Sequence, residues 1–173
     1  MNRIAAQWAA LPKPRRRAAT GFSLIELLIV VAIILIIAAI AIPSLMRAKM
    51  AANEAGAGES VRTITTGETT YAAACPDVGY SLTLQELNTG AICPGGKNII
   101  DDLLGASDPS FKGGYKFTYT PNASGGLNTT FTIVGLPTSP GITGDRGFFS
   151  DQTGVIRYSL DGTAPTITSS ALQ

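Results

Sequence analysis

The chain has 173 residues with 13 basic side chains, 12 acidic side chains and no histidine, for a formal net charge of +1 at pH 7. Histidine is the commonest general base and metal ligand, and its absence weighs against the usual catalytic centres. The sequence also shows no nucleophile elbow, phosphate loop or metal-ligand spacing, so we predict no enzyme, no cofactor and no metal. Beyond Arg47, Lys49 and Arg62 there is no basic patch, which gives nucleic-acid binding little support.

The first 21 residues carry five positive charges and no acid. A basic segment ahead of an apolar helix stays in the cytoplasm, so the rest of the chain is exported. A secretory signal would have a shorter apolar core followed by a small-residue cleavage site. Here the small residue, Gly21, lies before the apolar run. On charge and hydropathy alone, cleavage after Gly21 and an uncleaved signal anchor are equally open.

The next segment is built for lipid. From Leu27 to Ile42 the sequence has 16 consecutive apolar residues, and among the 21 residues from Phe22 to Ile42 only Ser23 and Glu26 are polar. As a helix, such a segment reaches about 32 Å, close to the hydrocarbon thickness of a bilayer. A charged residue there costs on the order of 3 kcal/mol on insertion scales, so we expect Glu26 to have a function.

Four residues of this region form a recognisable pattern. Glycine is followed by an aromatic residue, glutamate stands four positions further on, and proline interrupts the long apolar run; the residues are Gly21, Phe22, Glu26 and Pro43. The segment GFSLIELLIVVAIILIIAAIAIP resembles the class III signal sequence of type IV pilins and of the related pseudopilins of type II secretion. The resemblance implies that a membrane aspartyl prepilin peptidase cuts between Gly21 and Phe22 and then N-methylates Phe22.

The same resemblance implies a role for Glu26 in assembly. In the family, the matching glutamate pairs with the amino-terminal amine of a neighbouring subunit. Such a pair would satisfy both charges within a packed bundle of helices. Pairing of Glu26 with the Phe22 amine of its own chain is also possible within the first helical turn, and both arrangements stay open here.

Pro43 is expected to kink the helix, because proline removes one backbone hydrogen bond. The residues after it favour a helix, although glycines make the stretch from Pro43 to Gly58 a candidate for local melting. Further on, one helical face carries Val61, Ile64, Tyr71 and Cys75, with Glu68 interrupting the stripe. We predict four parts: a cleaved leader (1–21), a transmembrane or filament-core helix (22–42), its continuation (43–74) and a globular head (75–173).

The head is predicted to be a small antiparallel sheet. Residues 115–119, 129–134, 148–150 and 155–158 alternate or are β-branched and aromatic, and a turn is expected at residues 122–126. The predicted fold is therefore α+β, pilin-like, with the long helix packed against three or four strands. Residues 76–110 are expected to be irregular apart from a short helix at 82–87 capped by Ser81, and the tail 163–173 is expected to be exposed.

Cys75 and Cys93 both lie on the predicted exported side. An exported pair in an oxidising compartment most often forms a disulfide. Closing this loop would stabilise the domain by about 3 kcal/mol in the chain-entropy model. Two reduced, buried cysteines are the alternative.

Three functions are compatible with the sequence. The first, implied by the resemblance, is a type IV pilin: a single-pass inner-membrane precursor that the assembly machinery polymerises into an extracellular helical homo-oligomer for adhesion, twitching motility or DNA uptake. The second is a type II secretion pseudopilin; major pseudopilins tend to carry a calcium site, and Asp145, Asp151 and Asp161 give no convincing cage. The third is a membrane-tethered periplasmic binding module, which would need neither Glu26 nor the Gly21–Phe22 junction.

Overall fold

The computed structural model describes residues 21–172. Most of the predicted leader, with its five positive charges, lies outside the described residues. The chain divides into two compact units, Met1–Ile40 and Ala41–Gln173, and each is described by itself. Helix α1 (Leu24–Ala74) contributes residues to both units.

The described part of the first unit is an exposed apolar helix preceded by three non-helical residues. From residue 21 to 40, every residue is exposed except Ala38, which is half-buried. Within residues 21–172, α1 is the one helix long and apolar enough to span a membrane, and none of its most apolar stretch is buried inside the protein. This unit therefore has apolar side chains but no core of its own.

Helix α1 contains Pro43 and continues without a break to Ala74. The stretch from Pro43 to Gly58, predicted as a candidate for melting, is helical throughout. The kink predicted at Pro43 stays a prediction.

The core of the second unit forms on one face of α1. Ala57, Val61, Ile64 and Tyr71 are buried, and Cys75 is buried directly after the helix ends. These positions recur at spacings of three, four or seven residues, which places them on one side of a helix. The predicted stripe is thus the face that packs against the rest of the unit.

Six antiparallel strands pair in chain order to form one sheet. They are β1 (Ser110–Lys112), β2 (Tyr115–Ser124), β3 (Leu127–Pro137), β4 (Gly147–Asp151), β5 (Arg157–Ser159) and β6 (Ser170–Ala171). The predicted α+β class with a long amino-terminal helix is confirmed. The predicted number of three or four strands is too low, because β1 and β6 have only three and two residues and show no alternating pattern.

The central hairpin supplies most of the aromatic core. Tyr115, Phe117 and Tyr119 on β2 and Phe131 on β3 are buried. Strand β2 runs on to Ser124, so the predicted five-residue turn is shorter in the structure, and Gly125 and Gly126 make it with φ of 64° and 90°. Two-residue hairpin turns require such positive φ values, which glycine adopts without steric cost.

The segment between helix and sheet also departs from the prediction. The short helix α2 spans Glu86–Thr89, later than the predicted 82–87, and a 3-10 turn follows at Pro94–Gly96. Ser81 does not cap a helix; its hydroxyl donates to Glu68 Oε1 at 2.6 Å. The Ser81 side chain, which was expected to cap a helix, thus binds the buried carboxylate of Glu68. The periodicity of the sequence had shown Glu68 only as a break in the apolar stripe.

The carboxyl-terminal tail is only partly free. Strand β6 pairs with β5, and the Leu172 amide donates to the Ile156 carbonyl at 2.7 Å. Leu172 packs against the core, so the prediction of an exposed tail is wrong for its end. Pro165 is buried as well, so strand pairing and two apolar side chains hold the tail to the rest of the unit.

Cys75 and Cys93 lie at disulfide distance, with their Cα atoms 6.1 Å apart. That separation is within the range that disulfides span. The pair connects the end of α1 with the loop before the 3-10 turn.

We predict that unreduced, denatured mature protein has no thiol that reacts with a maleimide and that reduction exposes two. Two reactive thiols without reduction would mean that the cysteines only pack together. Cys75→Ala/Cys93→Ala should lower the free energy of unfolding by about 3 kcal/mol.

Two glycines allow a matched test of packing. A Cβ added to Gly96 would lie 2.2 Å from Cδ2 of buried Tyr71, whereas a Cβ at Gly56 would meet nothing within 4 Å. Gly96→Ala should lower the free energy of unfolding by about 1–3 kcal/mol, because the ring must move within a close-packed core. Gly56→Ala, inside α1, should instead raise it by about 0.5–1 kcal/mol. Urea titrations of both variants measure this; equal effects would contradict the packing described here.

Candidate assembly site

The predicted cleavage junction lies just before α1. Gly21, Phe22 and Ser23 are non-helical and exposed, and 78% of Phe22 is accessible. A Cβ at Gly21 would meet nothing within 4 Å. The described fold therefore gives no steric reason for glycine at position 21, and the junction is accessible, non-helical chain.

Glu26 lies in the first turn of α1, where it caps the helix. The Ser23 amide donates to Glu26 Oε2 at 2.9 Å, and the Leu27 amide donates to the Ser23 carbonyl at 3.2 Å. This is the reach-back half of a capping box, in which an acid at the third helical position satisfies the amide of the cap residue. Sequence analysis missed this role, although Ser-x-x-Glu ahead of an apolar run is the signal that reveals it.

The electrostatics of this helix end favour an anion. Unsatisfied amides at a helix amino terminus carry a partial positive charge, which a carboxylate in the first turn stabilises. In the uncut chain the Phe22 nitrogen belongs to a peptide bond and carries no charge. Cleavage after Gly21 would convert it into an ammonium group four residues from Glu26. The site then has one carboxylate and one amine, the two groups that an ion pair requires.

The surface around Glu26 is apolar, and no element among residues 21–172 covers it. Leu24, Leu27, Leu28 and Val31 lie on one helical face, and each is between 45% and 80% exposed. An apolar surface of this kind marks a site of interaction with a membrane or with other protein surfaces. Pro43 lies further along α1, and the Cys75–Cys93 pair lies in the second unit, so neither joins this site.

A second group of ionisable side chains lies inside the second unit. Glu68 on α1 is fully buried and accepts from both the amide and the hydroxyl of Ser81, at 2.9 and 2.6 Å. Nearby, Glu86 accepts from the Tyr71 hydroxyl at 3.0 Å, and the Tyr119 hydroxyl donates to the Ser81 carbonyl at 2.9 Å.

Burial dominates the protonation of this group. It raises the pKa of Glu68 from 4.5 to about 7; the bonds from Ser81 oppose the rise and the charge of Glu86 adds to it. Burial likewise raises the pKa of Tyr71 and of Tyr119 well above their usual value. Within residues 21–172 the two ion pairs, Lys112–Asp101 and Arg146–Glu54, involve neither buried glutamate.

The acids near the carboxyl terminus each accept a hydrogen bond from a backbone amide in the same local turn. Asp145 accepts from the Gly141 amide at 3.0 Å, Asp151 from the Thr153 amide at 2.9 Å and Asp161 from the Thr163 amide at 3.2 Å. No three histidine, cysteine or acidic side chains of the described chain converge on a point where they could hold a metal ion.

Comparison with known proteins bears on the first of these sites. The prokaryotic N-terminal methylation motif matches residues 16–42, which includes the Gly21–Phe22 junction, Glu26 and the apolar run to Ile42. No curated protein and no solved structure matches the chain significantly. The chain therefore carries, at residues 16–42, the class III signal peptide of type IV pilins and pseudopilins.

Proposed function

We propose that this protein is a structural subunit of a type IV pilus. It is made as a single-pass inner-membrane precursor, cut by prepilin peptidase between Gly21 and Phe22, and polymerised by the pilus assembly machinery into an extracellular helical filament. One observation carries this proposal: the methylation motif at residues 16–42 leads into a helix whose apolar side chains are exposed. Adhesion, twitching motility and DNA uptake are the roles that such a filament would serve.

The junction has the features of a peptidase substrate. A protease binds extended chain, and residues 21–23 precede the first helical turn. Because a Cβ at Gly21 would meet no other atom of the described fold within 4 Å, packing does not require the glycine, and we attribute it to a requirement of the enzyme. The glycine and the extended chain around it favour cleavage at Gly21 over an uncleaved signal anchor.

Glu26 is proposed to pair with the methylated Phe22 amine of a neighbouring subunit. In the described chain its hydrogen-bond donor is the Ser23 amide, which leaves the charge of the carboxylate uncompensated. When apolar helices pack together, an uncompensated charge between them is strongly destabilising, whereas a paired one is tolerated. Pairing with the amine of its own chain would compensate the charge too, but would not link subunits.

Pseudopilins carry the same motif, so the form of the polymer separates the two assignments. A pilin forms long surface filaments, whereas a pseudopilin works within a secretion system. The cysteine pair at disulfide distance and the use of Asp145, Asp151 and Asp161 within their own turns both favour the pilin.

Processing gives the first test. We predict that the mature protein begins at N-methylated Phe22, as read by mass spectrometry of the amino-terminal peptide. Gly21→Val should accumulate as full-length precursor in the membrane, because a branched side chain obstructs the peptidase. Gly56→Ala changes an exposed glycine outside the motif and should be processed normally. Assembled protein that begins at Met1, or normal cleavage of Gly21→Val, would contradict this assignment.

Assembly gives the second test. We predict that Glu26→Ala is inserted and cleaved as well as wild type, since it removes a costly polar group from the membrane span. It should yield at least about tenfold fewer filaments at equal expression, because the neighbour's amine is left unpaired. Filaments are counted by electron microscopy of sheared material, and membrane levels by immunoblot.

Two variants sharpen the interpretation. Glu26→Gln keeps the shape and the ability to cap the helix but loses the charge, so it should fail like Glu26→Ala if pairing matters. Glu59→Ala removes an exposed carboxylate of α1 outside the motif and should assemble normally. Wild-type filament numbers for Glu26→Ala would show that Glu26 is dispensable for assembly, and filaments that lack this protein would favour the tethered binding module. Normal filaments for Glu26→Gln alone would assign Glu26 to capping.

A further inference from the structure

Glu68 occupies a position that the pattern of α1 assigns to an apolar residue. It lies between Ile64 and Tyr71 on the buried face of the helix and has no accessible surface. Both of its carboxylate oxygens are engaged, Oε2 by the Ser81 amide and Oε1 by the Ser81 hydroxyl. A single acid in the core is thus bonded at both oxygens to one residue of another segment.

That residue belongs to a chain segment, here called the bridged segment, that covers residues 80–90. Besides Ser81, the segment is attached to α1 through Glu86, which accepts from the Tyr71 hydroxyl. It is attached to β2 through the Tyr119 hydroxyl, which donates to the Ser81 carbonyl. Leu84 and Leu87 pack into the core from the same segment. The bonds to Glu68 and from Tyr71 to Glu86 thus add to the apolar packing of the segment and to its backbone bonds, such as the one from the Tyr80 amide to the Asn128 carbonyl of β3 at 2.9 Å.

The charge state of Glu68 bears directly on this attachment. A buried carboxylate that has no cation beside it is costly when ionised and much less costly when protonated. If the bridged segment detaches, water reaches Glu68 and the ionised form is no longer penalised. The two bonds from Ser81 favour the carboxylate in the closed arrangement, but burial without a cation outweighs them, so the closed arrangement favours the protonated acid and the open arrangement favours the carboxylate.

We propose that Glu68 makes the attachment of the bridged segment to α1 dependent on pH, so that the segment is held most tightly in acid and opens more readily toward neutral pH. The proposal concerns the second unit alone and does not rest on assembly into a filament.

The direction follows from linkage. Burial raises the pKa of Glu68 from 4.5 to about 7 in the closed arrangement. A group whose pKa is raised on closing contributes stability that is fully present below 4.5, is lost between 4.5 and about 7, and is constant above that. Exposure of the bridged segment should increase over the same interval.

Other titratable groups face Glu68 and must be separated from it. Glu86 lies on α2, Tyr71 on α1 and Tyr119 on β2, while Asp108 precedes β1 and accepts from the Tyr119 amide at 3.4 Å. Burial raises the pKa of Asp108 as well, so this acid acts in the same direction. The two tyrosines keep their protons throughout, since burial raises their pKa. Substitution of Glu68 itself identifies its share.

The test is amide hydrogen exchange of the full mature chain in detergent micelles, read by mass spectrometry at several pH values between 5 and 8. Exchange times are scaled for the intrinsic pH dependence of the amide reaction. Peptides from the bridged segment should lose at least about tenfold in protection between pH 5 and 7.5, while peptides from β4 stay unchanged. Glu68→Gln, which is neutral at every pH, should show protection that does not vary with pH. Glu59→Gln, an exposed control on α1, should behave like wild type.

Ser81→Ala adds a variant that keeps the carboxylate in place. Loss of the hydroxyl donor removes a bond that favours the ionised form, so the pH interval over which protection falls should extend upward. Constant protection of the wild-type segment would overturn the proposal. An unchanged pH response in Glu68→Gln would overturn it in favour of Asp108 or Glu86. If Glu68→Gln does not fold, an interval that stays in place in Ser81→Ala would equally overturn it.

Discussion

Exposed apolar surface on α1 is the constraint from which the rest of the account follows. From Leu24 onward the first unit presents leucine, isoleucine and valine side chains that no other described residue of the unit covers. Exposure of an apolar surface of this size to water is unfavourable, and such a surface is typical of a helix that lies in a bilayer or packs against other apolar helices. The second unit meets the same physical demand internally, because one face of α1 and the aromatic face of β2 and β3 bury each other's side chains. Helix α1 thus has one part whose apolar face is buried within its own unit and one part whose apolar surface is exposed.

The two carboxylates of α1 that matter most are handled in different ways. Glu26 lies at the exposed helix start, where the Ser23 amide and the helix dipole stabilise it but do not compensate its charge. Glu68 lies in the core, where two donors from Ser81 bind it and burial shifts it toward the protonated form. The first is suited to a cation supplied by another chain. The second is satisfied within its own chain, and we propose that it responds to pH instead.

Much of this structure could be predicted from the sequence, because the controlling signals are local. Residues that are close in sequence determine each of the correctly predicted elements. They are the apolar run, the stripe from Val61 to Cys75, the alternation at Tyr115–Tyr119 and the glycines at 125 and 126. The misses have a non-local cause. Ser81 looks like a helix cap until Glu68, 13 positions earlier, takes its hydroxyl. Strand β6 has two residues and forms only because β5 is there to pair with it. Of the candidate site, the junction and Glu26 were evident, whereas the Ser23–Glu26 cap was overlooked although its signal is local.

The central claim is that the uncovered surface of α1 is covered by other copies of the chain. Electron microscopy of material sheared from cells, combined with intact-mass measurement of its subunit, tests this most directly. The account predicts long filaments with a subunit that has the mass of the chain from Phe22 to Gln173 with one added methyl group and one disulfide. Recovery of the protein solely as a monomer in the membrane fraction, with no filament that contains it, would contradict the account.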